Sequence, residues 1–442
     1  MSSLRPVRLV TLWFSLAVAV AGFAAEWADP RGFFDDEKIT TTPIAPGLVR
    51  IEAQGNRDGL RVETQVLAVD LHPREGEGAA AWRLETLTGQ RRASREAGHY
   101  FPRSTPRQLL EDNPGTLAAI NASFFDIRST QVPLGLVVRG GQLLREPMPQ
   151  LYPSVLALAD GRVLIARPDW RARVVFRGQE RPLAGINLPT AGNTDIVLYR
   201  PPWERAPEPA AVFSKADGTL EIMLRRSRVK DAAPEAQTGM EAAIAAVRAG
   251  TDHVPQLLAS DEMSLIAGRE AAPFFRDARP GERIEIFWTL TGLPDGVRAE
   301  DVRDAVSGST ILIAAGRRTA GSGSFWETRH PRSAAGVDAT GRRVVLVVAD
   351  GRSQRSAGMN LTTLTDYLVH LGAHDALNFD GGGSSALVTR SEGRPQVLNR
   401  PSDGRERLIP AALGVVRATD GKTVPPAREG GDDASTATLN PN

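Results

Sequence analysis

Between Arg342 and Val388 the chain changes its hydrophobic period twice, and that change limits the folds open to it. "RRVVLVVADGR" (342–352) is a continuous β-branched and aliphatic run, the pattern of a strand buried on both faces. Beyond "SAGMN", Leu361, Leu364, Leu368 and Leu371 recur at helical spacing, with Asn360 as a side-chain cap and Gly372 as a stop. "DALNFD" then reads as a second, short strand. Strand, helix and strand make one crossover unit. If the two strands are parallel neighbours, Asp350 and Asp380 both stand at their carboxyl ends, where α/β units bind ligands.

Asp380 opens "DGGGSS", an acid followed by three glycines and two serines between apolar runs. Each glycine costs roughly 0.5–1 kcal/mol of conformational entropy relative to alanine. A hairpin turn would account for one or two of them. Three in a row after a carboxylate call for positive φ or for something approaching the backbone closely.

The remaining composition narrows the class. Hydrophobic residues make up 41% and charged residues 24% of 442, as in an ordinary soluble globular chain. A net charge of +1 provides no electrostatic reason to bind nucleic acid or an anionic membrane. Lys stands only at 38, 215, 230 and 422, so the positive charge is almost all Arg, whose planar fork suits carboxylates and phosphates. With no cysteine, disulfides, thiolate catalysis and Cys-based zinc sites are excluded.

Arg5 and Arg8 precede the apolar run Leu9–Ala24, and Gly22, Ala24 and Ala25 follow as small residues. This is the order of a cleaved secretory leader over 1–25, and the run is short for an uncleaved membrane anchor. A secreted or periplasmic protein with no membrane span in its mature chain is expected.

Residues 26–45 read as polar and irregular. From 45 to 417 the chain reads as one α+β domain, strand-rich with a mixed sheet and at least one strand–helix–strand crossover. "GLVRIEA" and "LRVETQVLAVDLHP" form a hairpin, and "TLAAINASFFD" (116–126) is a mostly buried strand. "LGLVVRGGQLL" and "PSVLALADGRVLIA" pair around Gly-Gly and Asp-Gly turns. In the middle, "GMEAAIAAVRAG" (239–250) is a helix candidate. Residues 418–442 lack apolar periodicity and read as a disordered tail.

Polar residues gather beside the core strands. His330, Arg332 and Ser333 precede the 342–352 run; Asn399, Arg405 and Arg407 precede the last apolar strand. In order, "INASFF" (120–125), "RHPRSAAG" (329–336), "VVADGR" (347–352), "GMNLTTLTDYLVHLGAHDALNFDGGGSSALV" (358–388) and "NRPSDGRER" (399–407) resemble the phosphodiester glycosidase family. The likeness is strong over about 300–416 and recognisable back to about 116. It departs in Ala122 and Ser123, where two glycines are common, in Ser333 for Thr and in Phe379 for an aliphatic residue.

The resemblance implies hydrolysis of the C1–O bond of a sugar-1-phosphodiester in a phosphodiester-linked glycan, with no cofactor. The leaving phosphate monoester has a second pKa near 6 and departs with far less help than an alkoxide. Arg332, Arg352 and Arg407 would hold phosphate oxygens, and the amides of Gly381, Gly382 and Gly383, with Ser384, would form an anion nest. Asp380, then Asp350, would be the catalytic carboxylates; Asn121 and Asn399 would bind substrate. Two other readings stay open. In one, Asp350, Asp380 and Asn121 bind a divalent cation and the enzyme cuts P–O; in the other, the protein binds a phosphoglycan without cleaving it. Ser384 and Ser385 lack the Gly-x-Ser-x-Gly elbow of a serine hydrolase.

Overall fold

The buried run at 343–349 lies where its composition requires, in the interior of a sheet. In a computed structural model, which describes residues 27–72, 82–89, 101–128, 130–201, 209–233, 237–253, 258–259 and 261–418, every strand residue from Val344 to Ala349 is buried. That strand, Arg343–Ala349, pairs antiparallel with Leu60–Asp70 on one side and Arg332–Val337 on the other. The full order is Asp35–Ala45, Leu48–Arg57, Leu60–Asp70, Arg343–Ala349, Arg332–Val337, Asp375–Asn378, Thr310–Ala314 and Arg317–Arg318.

Alternation along this strand serves two cores. Val345, Val347 and Ala349 pack on the helix Leu361–His370 through Leu361, Leu364, Tyr367 and Leu368. Val344, Leu346 and Val348 face a five-stranded sheet through Ala118, Ile120, Leu413 and Val415. Each fully buried Val or Leu contributes roughly 1.5–3 kcal/mol, so this strand is held from both faces. Asn360 caps the helix as its side chain suggests, accepting from the Thr363 amide at 2.8 Å.

The crossover differs from expectation. Arg343–Ala349 and Asp375–Asn378 are not neighbours: Arg332–Val337 lies between them and pairs antiparallel with both. An antiparallel strand from upstream occupies the slot, and the two acids are set one strand apart. Among the described residues the ladders are antiparallel, apart from the short pair Gly185–Ile186 and Ile196–Tyr199.

Two further expectations are corrected. Asp35–Ala45, read as irregular, is an edge strand; its charged and threonine side chains lie largely exposed, as an unpaired edge needs. The helix candidate at 239–250 falls within the strand Gln237–Ala249, paired with Leu220–Ala233 and Arg283–Thr291. Met240, Ala242 and Ile244 bury at a period of two, so sheet pairing overrides the helix preference of alanine and glutamate. These strands belong to an eight-stranded sheet made wholly from residues 169–291. The leader-like segment and the C-terminal tail from 419 lie outside the described residues. No helix among the described residues is long and apolar enough to cross a membrane.

Candidate active site

Three chain segments are tied together behind Asp380. Asn121, at the end of the strand Thr116–Asn121, donates from Nδ2 to the Asp380 carbonyl at 2.6 Å. Its Oδ1 accepts from Ser333 Oγ at 2.7 Å and from the Ala386 amide at 3.0 Å. The Asp380 amide donates to Ala122 O at 2.9 Å. Asn121 is buried, and these bonds occupy both ends of its amide. Its observed contacts are those of a strut behind the site rather than of a group presented to substrate. Asn121→Ala should leave three buried groups unpaired and lower stability by about 3 kcal/mol or more, read as the midpoint of urea unfolding. An unchanged midpoint would remove that role.

The Asp380 carboxylate accepts hydrogen bonds from the Ser384 hydroxyl and the Gly381 amide. Arg407 Nη1 donates to Ser384 Oγ at 3.3 Å, and Arg407 Nε and Nη2 donate to Asp403 Oδ2 at 3.0 and 2.7 Å. Burial pushes the Asp380 carboxyl up to about 6, against the lowering effects of Ser384, Arg407 and the Gly381 amide. A carboxyl that titrates there exchanges protons in the range where enzymes work.

The three glycines serve close packing. The Gly382 amide donates to Pro331 O at 2.9 Å and the Gly381 amide to Asp380 itself, so two of the three N–H groups already have protein partners. Gly382 has φ +63°, and a Cβ there would come within 3.2 Å of the Arg352 guanidinium. A Cβ on Gly383 would overlap the Asp403 carboxylate and the Arg407 guanidinium.

Arg332 and Arg352 bring positive charge to the same turn. Arg332 is buried, with Nε donating to Met359 O at 3.1 Å and Nη2 to Phe325 O and Thr328 O at 3.0 and 2.9 Å. Burial and, secondarily, the charge of Arg352 lower it to about 10. Arg352 is exposed and holds the left-handed φ of +59°, uncommon for a residue with a side chain. Its Nη2 lies 3.2 Å from His330 Nδ1. Since arginine only donates, Nδ1 accepts and the imidazole is neutral; burial, then Arg352 and Arg332, hold the His330 pKa down. Neither arginine has a carboxylate partner among the described residues.

Asp350 stands apart from Asp380. Its carboxylate accepts from Asn399 Nδ2 at 3.0 Å and from the Arg400 amide at 3.0 and 3.1 Å. Burial raises its pKa, opposed first by Asn399, and it is not among the charges acting on Asp380. Asn399 also accepts from the Leu387 amide and donates to Ser385 O, so its amide, like that of Asn121, braces the backbone. Among the described residues no group of three or more His, Asp or Glu side chains is set to hold a metal ion, and the oxygens of Asp350, Asp380 and Asn121 face different protein donors.

Sequence reasoning missed Tyr152 and Asp403. Burial raises the Tyr152 pKa, and the charge of Asp380, more than 200 residues away in the chain, raises it further. Asp403 lies within the quoted "NRPSDGRER", where the i, i+4 spacing to Arg407 was the available signal.

Residues 238–416 match the sequence profile of the phosphodiester glycosidase family. Over this segment the chain resembles a phosphodiester glycosidase domain. The segment holds Arg332, Arg352, Asp350, Asp380, the three glycines, Asn399 and Arg407, whereas Asn121 and Tyr152 lie upstream of it. The chain is also 28% identical over 151 residues to the SPbeta prophage-derived uncharacterized protein YomE of Bacillus subtilis (strain 168), covering 34% of this chain and 22% of that protein. In fold it is similar to a hypothetical protein from Synechocystis, with a TM-score of 0.63, 20% identity and coverage of 86% of this chain and 64% of that one. A candidate exported protein of Burkholderia pseudomallei K96243 superposes at a TM-score of 0.59 with 21% identity, covering 81% and 74% of the two chains. The chain thus spans about a fifth of YomE and under two thirds of the Synechocystis protein, and it shares its fold with both solved structures.

Proposed function

We propose that the protein hydrolyses the C1–O bond of a glycosyl-1-phosphodiester, releasing free sugar and a phosphomonoester. The observation that carries this reading is the Arg332–Arg352 pair. Two guanidinium groups are held close enough to act on each other, with no carboxylate between them, beside the turn that begins at Asp380. Such a field is relieved by an anion, and a phosphodiester seated there would present its sugar carbon to Asp380. A neutral His330 hydrogen-bonded to Arg352 can donate from Nε2 to the same phosphate.

As the C1–O bond breaks, its electron pair leaves on the phosphate oxygen and the arginines stabilise the growing charge. Asp380 in its ionised form takes the proton of the attacking water, whose oxygen becomes the sugar hydroxyl. Ser384, held by Arg407, keeps the carboxylate aimed. Asp350 and Asn399 brace the 399–407 loop and support this machinery from behind. The leader-like N-terminus supports export of the enzyme to a compartment that holds such glycans.

Hydrolysis in oxygen-18 water tests the reaction directly. The label should appear in the released sugar and not in the phosphomonoester. Label in the phosphate would mean P–O cleavage and would overturn this assignment; substrate bound with no product would make the protein a binding module.

A further inference from the structure

Beside Asp380 stands an aromatic pair to which the chemistry above assigns no part. Phe124 follows Ala122, whose carbonyl receives the Asp380 amide at 2.9 Å. Tyr152 comes from a separate loop, pinned by its amide to Met148 O at 2.8 Å. Pro153 O, next in the chain, receives the Gly308 amide at 2.8 Å, and the Ser309 amide donates to Asn378 O at 2.9 Å, two residues before Asp380. The Ser307 amide in turn donates to Ser123 Oγ at 3.2 Å. These bonds tie the segments that carry both rings to the segment that carries Asp380. Their centroids are 6.4 Å apart and their planes 39° from parallel. Both residues are half-buried, so each leaves part of its ring accessible, and the Tyr152 hydroxyl makes no hydrogen bond among the described residues.

We infer that Phe124 and Tyr152 form the sugar subsite of this centre, a platform for the C–H face of a pyranose whose C1 lies at Asp380. The inference rests on the glycosyl phosphodiester reading and adds to it the class of glycone. Pyranoses carry an apolar face of axial C–H bonds and a rim of hydroxyls. A partly dry pair of tilted aromatic faces with one free phenol matches both, and ligand sites generally combine such apolar walls with few polar groups. The phenol stays protonated because burial and the Asp380 charge both disfavour phenolate, so Tyr152 Oη remains a donor to a sugar hydroxyl. The arginines would fix the phosphate, and the rings would fix which sugar face meets the carboxylate.

The test compares wild type, Tyr152→Ala and Tyr152→Phe, all checked for native melting temperature. One arm follows hydrolysis of pyranosyl phosphodiesters; the other follows binding of free hexopyranoses and 2-acetamido hexopyranoses to Asp380→Asn protein by saturation-transfer NMR. Tyr152→Ala should raise KM about thirtyfold with a smaller change in kcat, and Tyr152→Phe should restore KM to within about fivefold of wild type. In the NMR arm, saturation should concentrate on the protons of one sugar face and vanish when Tyr152→Ala is added. Unchanged KM in a folded Tyr152→Ala enzyme, or sugar binding that is absent or indifferent to the substitution, overturns the platform. If wild type cleaves no phosphodiester while Tyr152-dependent sugar binding persists, the reaction assignment fails and the subsite stands.

Discussion

Asp380→Asn should nearly abolish turnover while making the protein more stable at neutral pH. Asparagine keeps the shape of the side chain and can still accept from Ser384, but it cannot take a proton from water. A loss of a thousandfold or more in kcat is expected, in the range of removing a positioned general base. The stability effect follows from linkage. In the folded chain burial holds the Asp380 carboxyl at about 6, above its ordinary value of 3.8. The folded state therefore binds the proton more tightly than the unfolded state. Wild-type stability falls as pH rises from about 4 to about 6, and the whole penalty, roughly 2–3 kcal/mol, is present above that range. Asp380→Asn carries no such penalty, so its advantage in urea midpoint should be clear at pH 7.5 and shrink towards pH 4. Wild-type kcat/KM should rise through about pH 6 and then level. A profile that falls through pH 6 would make Asp380 an acid, and equal stability at pH 7.5 would mean the carboxylate is better solvated than its surroundings imply.

Gly383→Ala should cost about a hundredfold in kcat/KM, through a pair of side chains that the substitution does not remove. The added methyl would occupy the space of the Asp403–Arg407 ion pair. That pair is partly solvated, with side chains 36% and 27% exposed, so it can swing outward and let the fold survive. Arg407 would then release Ser384, and Ser384 would lose its aim at Asp380. Losing one charge-assisted support at such a site costs about 2.7–4 kcal/mol in transition-state energy. The pH midpoint of the remaining activity should also rise, because Ser384 and Arg407 are the main groups that lower the Asp380 pKa. Arg407→Lys should behave similarly, since a single ammonium cannot hold Asp403 and Ser384 at once as the guanidinium fork does. Normal kinetics in Gly383→Ala would reduce the glycine run to a turn.

What could be read in advance divides along the range of the interactions. The 343–349 strand, the Asn360 cap and the helix were legible because apolar period and capping are local. That Arg332–Val337 inserts between the crossover strands was not, because nothing in 342–380 refers to it. "DGGGSS" announced that something approaches the backbone. Its partners, Pro331 O, Arg352 and the Asp403–Arg407 pair, come from three other segments, and residue type alone could not name them. Asn121 and Asn399 stand out in the sequence beside core strands, but residue type could not tell a strut from a ligand donor. Tyr152 carries no motif at all; only the folded chain sets it near Asp380.

The strand Gln237–Ala249 has a consequence for how the molecule is made. Its alanines and glutamate favour local helix, and a helix can form within about a microsecond, long before strands 40 residues apart find each other. Local preference thus favours a helix at the centre of the sheet built from 169–291. That helix must unwind before Leu220–Ala233 and Arg283–Thr291 can close around it. Assembly of the 169–291 sheet is then expected to lag behind the sheet whose strand Asp375–Asn378 leads to Asp380, leaving the candidate site ordered beside an unfinished neighbour.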